Sequence, residues 1–133
     1  MFKLKTLSLV TLLLLLQSCS SKPRKYDMVG VWESNCVTTG TLGSYEIKSV
    51  YAPDGSFEAQ MITTSPSFPT RFYSGTYKAS KNKLKETITS IEGKSNLYGL
   101  PMDSESSLKW IDDHSVLIDA DGDKCTTVRV VNS

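Results

Sequence analysis

Few residues in this chain could carry chemistry: three cysteines, Cys19, Cys36 and Cys125, and one histidine, His114. Cys36 and Cys125 lie 89 positions apart, far from the Cys-x-x-Cys spacing of a redox pair, and neither has a histidine nearby to help complete a tetrahedral metal set. His114 follows Asp112 and Asp113, a grouping able to move a proton or hold a metal. All three fall in a predicted turn, however, where polar residues are expected for solvation and local hydrogen bonding. Asp119-Ala120-Asp121-Gly122-Asp123 alternates acids as a calcium loop does, but its glycine comes too early and no glutamate follows it. It reads as a hairpin turn. Gly-x-Ser-x-Gly and His-Glu-x-x-His are both missing, so no nucleophile or metal centre can be assembled from motifs. The expectation is a binding protein without catalysis and without a cofactor.

The third cysteine belongs to a different pattern. Lys3 and Lys5 open the chain without an acid, and an apolar run from Leu7 to Leu16 follows, interrupted only by Ser8 and Thr11. That run has the length of a secretory signal and falls well short of the roughly 20 residues that span a bilayer. It ends in Leu16-Gln17-Ser18-Cys19, which resembles the lipobox of bacterial lipoproteins. The resemblance implies cleavage before Cys19, a diacylglycerol on its thiol and acylation of the new amino terminus. Two or more acyl chains anchor a protein stably to a membrane. Ser20, in place of an aspartate, implies the outer membrane and its periplasmic face.

Loss of residues 1–18 leaves 115 residues with 13 basic and 14 acidic side chains. So balanced a charge argues against nucleic acid as a partner. Residues 19–26 read as a lipidated tether, whose Lys22, Arg24 and Lys25 could lie against anionic headgroups. The remainder, residues 27–133, is the size of one domain with one core.

That domain reads as all-β. Short stretches alternate apolar and polar residues, turn residues divide them, and no 3.6-residue period persists. Strands are expected over 29–37, 45–51, 57–61, 71–79, 83–90, 103–110, 115–120 and 123–131. Pro53-Asp54-Gly55, Ser80-Lys81-Asn82, Asp112-Asp113-His114 and Asp121-Gly122 are turns between them. Ser65 to Thr70 and Ile91 to Met102 read as the long loops, and Lys78, Lys81, Lys83 and Lys85 as a basic, solubilising hairpin tip. Eight strands in a meander suit a small antiparallel barrel, with a two-sheet β-sandwich as the alternative.

Gly30-Val31-Trp32 resembles the Gly-x-Trp of lipocalin-like barrels, which implies that Trp32 plugs one end of the barrel. With Cys19 assigned to lipid, Cys36 and Cys125 remain as an even pair on the first and last strands, and an oxidising compartment would let them bridge. Trp32, Tyr45, Tyr51, Phe57, Tyr73, Tyr77 and Trp110 could line a cavity, although a packed core would use the same residues. Two functions follow. One is a carrier or sensor of a small apolar ligand. The other is a protein-facing envelope module, an inhibitor of an envelope-attacking enzyme or an assembly factor, working through the two long loops.

Overall fold

The computed structural model describes residues 26–38, 43–63 and 70–130. The lipobox, the tether up to residue 25, and most of the Ser65 to Thr70 loop lie outside the described residues. Among the described residues, eight antiparallel strands, β1 (Gly30–Val37), β2 (Ser44–Tyr51), β3 (Ser56–Thr63), β4 (Arg71–Ala79), β5 (Lys83–Ile91), β6 (Met102–Asp112), β7 (Ser115–Ala120) and β8 (Asp123–Arg129), follow one another in space as in sequence. Pairing of β1 with β8 closes them into a meander barrel. Closure pairs every one of these strands on both sides, which removes the hazard of edge-to-edge association.

Alternation sets the two faces. Along β1, Trp32, Ser34 and Cys36 are buried while Glu33, Asn35 and Val37 are exposed; along β8, Cys125, Thr127 and Arg129 are buried while Lys124, Thr126 and Val128 are exposed. The outer face carries charges such as Glu46, Lys48, Lys109 and Asp119. Such a face suits water, whereas a lipid-embedded barrel presents an apolar band.

Four strands outrun their sequence bounds: β2 and β3 by added pairs at their ends, and β5 and β6 in part because each carries a bulge. In β5, Gly75 pairs with Ile88 but Ser74 pairs with Ser90, so Thr89 is the extra residue and Ile91 comes opposite Tyr73. In β6, Ile111 is the extra residue, and pairing continues to Asp112, opposite Ser115. The last strand stops earlier than expected, at Arg129. At the first bulge the strands approach so closely that a β-carbon on Gly75 would fall on the Thr87 carbonyl oxygen. Gly75→Ala is therefore expected to destabilise by about 2 kcal/mol through overpacking, read as a lower Tm.

The ends of the barrel differ. One carries the turns at 52–55, 80–82 and 113–114, together with Tyr26 to Val29; the other carries the long 92–101 connection and the two-residue turn at 121–122. The main apolar cluster, with Met28, Trp32, Phe57, Leu84, Leu108 and Val116, fills the first end.

Candidate functional site: a plugged cup

The plug is built around Trp32, which is fully buried. Its indole N–H donates to the Met28 carbonyl at 2.8 Å. The Arg129 guanidinium lies over the indole, 4.3 Å from the ring centroid, and Trp110 meets the same indole edge-on at 5.8 Å. Arg129 is held in place by backbone carbonyls: Nη1 donates to Val29 and Nη2 to Asp27, each at 2.6 Å, and Nε donates to Asp113 at 3.3 Å. Gly30 makes room for this arrangement. A β-carbon there would stand 2.6 Å from Arg129 Nη1, and its φ of 141° lies where side chains are rarely tolerated. The spacing Gly30-x-Trp32 thus has a physical meaning: bare backbone, then an indole under the same cation.

Above the plug the barrel is hollow. A cavity of about 540 Å³ runs from Met28 and Leu84 up to Arg71, Met102 and Asp123 at the long-loop end. Of the seven aromatic candidates, Tyr45, Tyr51 and Tyr73 line this cup. Trp32, Phe57, Tyr77 and Trp110 belong to the plug or its margin. Phe57 is buried in the apolar cluster, Tyr77 donates its hydroxyl to the Ala52 carbonyl, and the Trp110 N–H donates to the Lys81 carbonyl. The Cys36–Cys125 disulfide joins β1 to β8 between directly opposed residues, with Cα atoms 4.0 Å apart, on the inner wall.

The lining is more polar than an apolar carrier requires. Ile47, Met61, Ile88 and Ile118 face the cavity, but so do Ser34, Ser49, Ser106 and Thr127. The Ser34 and Thr127 hydroxyls pair at 2.8 Å across the seam. On β5 the inward residues from plug to mouth are Leu84, Glu86 and Ile88, which places a carboxyl group just above the floor. Tyr51 donates its hydroxyl to Glu86 Oε2 at 2.7 Å, and Ser49 in turn hydrogen-bonds to Tyr51. Burial raises the Glu86 pKa, and the Tyr51 hydrogen bond only partly opposes it. Burial and the nearby Glu86 carboxylate likewise push the Tyr51 and Tyr73 hydroxyls upward, so both stay protonated. Glu86 and Arg129 had no motif to mark them. The available signal was periodicity: Glu86 falls between two residues of an inward face, and Arg129 continues the inward face of Cys125 and Thr127.

The raised pKa makes a stability prediction. The folded state binds the Glu86 proton more tightly than the unfolded chain, so stability is lost as pH rises through the folded pKa. Glu86→Gln should therefore have a higher Tm than wild type at pH 7, and the difference should vanish near pH 4. Thermal melts across that range would show it.

The remaining candidates are placed elsewhere. His114 is exposed in the β6–β7 turn, its backbone N–H donating to Asp112 Oδ1 at 2.8 Å. Among the described residues no cluster of His, Cys, Asp or Glu could hold a metal ion. Asp121-Gly122 is the β7–β8 turn, and Asp123 accepts a hydrogen bond from Tyr45 at the mouth. Within the basic tip, Lys83 and Lys85 pair with Glu105, and Lys81 lies over the Tyr26 ring.

No protein-family model and no curated protein matches the chain. Its fold is similar to that of an uncharacterized protein from Bacteroides eggerthii seen in a crystal structure, with a TM-score of 0.52 and 17% identity. The match covers 78% of this chain and 100% of that one, and at that identity it is a likeness of fold alone.

Proposed function

We propose that the chain is a lipid-anchored envelope protein whose barrel binds one small molecule inside the cup, without catalysing a reaction on it. The observation that carries this reading is the cavity of about 540 Å³, open at the long-loop end and plugged at the other. It lies in the size range of small-molecule sites. Its mixed lining suits a molecule with both apolar and polar parts better than a wholly apolar one.

Leu16-Gln17-Ser18-Cys19 supports the anchor, with the periplasmic face of the outer membrane as its site. Tyr26 packs against Trp110 at the plugged end, so a lipid on Cys19, at most about 25 Å of extended chain away, would hold that end toward the membrane. The mouth would then open away from the bilayer, facing soluble ligands. Cys19→Ser should free the protein from the membrane fraction or block its processing; a processed variant still on the membrane would contradict the anchor.

Ser106→Phe, which projects a ring from the inner wall into the cup, tests the binding reading. Wild type purified from the envelope should yield an extractable small molecule that the folded variant lacks. Identical extracts from the two would count against the cup as the site. A second reading, a protein-facing module, draws on the β5–β6 loop, where Tyr98 is fully exposed and Leu97 and Met102 are partly so.

A further inference from the structure

We infer, resting on the small-molecule reading above, that the cup takes an organic cation, an ammonium group on an apolar body, with Glu86 as its counter-charge. The two tyrosine hydroxyls that line the cup nearest a carboxyl group are already committed to it. The Tyr45 hydroxyl is donated to Asp123, the Tyr51 hydroxyl to Glu86, and Ser34 and Thr127 share one hydrogen bond, which leaves one of their two O–H groups over. The hydrogen-bonded chain from Ser49 through Tyr51 ends on a carboxyl oxygen. What the floor offers a guest is the acceptor capacity left on the Glu86 carboxyl group, which takes one hydrogen bond from Tyr51. A guest that supplies N–H donors and positive charge completes this set.

Charge placement points the same way. Among the described residues no cation pairs with Glu86; its neighbours in register are Tyr77 and Ser104. Arg71 is the basic residue lining the cup, and it is exposed at the mouth. It stands six residues mouthward of Tyr77, about 20 Å of strand. Asp121 and Asp123 also line the mouth, so an anion would pass acids on entry and meet another at the floor. Tyr51 and Tyr73 line the wall beside Glu86, and Ile47, Ile88 and Ile118 accept an apolar body. The inferred guest is therefore an amphipathic amine, seated with its ammonium group down.

The test uses three probes of nearly equal shape: tryptamine as the cation, tryptophol as the neutral analogue and indole-3-acetate as the anion. Calorimetric titration of the full chain in lipid nanodiscs should give tryptamine at least about tenfold tighter binding than tryptophol, with indole-3-acetate weakest. A charged hydrogen bond is worth about that factor. In Glu86→Gln, checked for an unchanged or higher Tm, the tenfold preference should disappear while tryptophol binding persists. Equal binding of all three probes to both proteins would overturn the cation assignment and leave the small-molecule reading standing. The cation assignment would fall equally, with the small-molecule reading intact, if no probe bound yet the envelope-purified protein retained a neutral or anionic compound. No probe binding and no retained compound would remove both.

Discussion

Trp32→Ala is expected to lower stability by about 3–5 kcal/mol, the range for emptying a buried aromatic site. In a barrel of this size that is a fall in Tm of about 15 °C or more. The loss has three sources. The indole contact with the apolar cluster disappears, the Met28 carbonyl loses its donor, and the Arg129 guanidinium loses the ring beneath it. Arg129 itself is 8% exposed, and its charge is tolerated there because three backbone carbonyls and an aromatic face replace water. Arg129→Lys should not substitute for it, since a single ammonium cannot reach carbonyls on opposite sides of the plug as a planar fork does. Combining Trp32→Ala with Arg129→Met should cost less than the sum of the single changes, because each removes the same stacked contact. A full additive loss in a thermal or urea melt would mean that the two residues do not act as a unit.

Loss of the Cys36–Cys125 bridge should cost about 4–5 kcal/mol in the chain-entropy model, because the cross-link closes most of the domain into one loop. The bridge lies on the seam where the barrel closes, and β1 and β8 share six register pairs there. Those pairs do not depend on the sulfurs, so the reduced protein should remain a closed barrel at low temperature while unfolding at much lower denaturant. Cys36→Ser, Cys125→Ser and the double variant should all show about the same loss. Additive losses would show that the two cysteines stabilise the fold separately. Reductant should destabilise wild type and leave the double variant unchanged.

The barrel was legible in the sequence because strand alternation and turn chemistry are local. Pro53-Asp54-Gly55 and Asp121-Gly122 mark hairpins without reference to the rest of the chain, and Arg71 to Ala79 and Ser115 to Ala120 were bounded as found. The bulges were not legible. That at Thr89 depends on how closely Gly75 lets β4 approach β5, a relation between strands that no single segment displays. The hollow was not legible either. Tyr51 and Phe57 stack on each other and both are buried, yet only Tyr51 reaches the cavity, since depth along the barrel axis decides which aromatic plugs and which lines. Inward polar residues were the better clue: Ser34, Ser49, Glu86 and Ser106 on an inner face are hard to reconcile with a solid apolar core.

Native mass spectrometry of the protein purified from the envelope tests the cup most directly. One small molecule per chain, retained in the folded state, released on denaturation and missing from Ser106→Phe, is the result expected of a plugged, ligand-holding barrel. A wild-type protein that carries no added mass, and takes up none when incubated with an extract of the envelope, would contradict it.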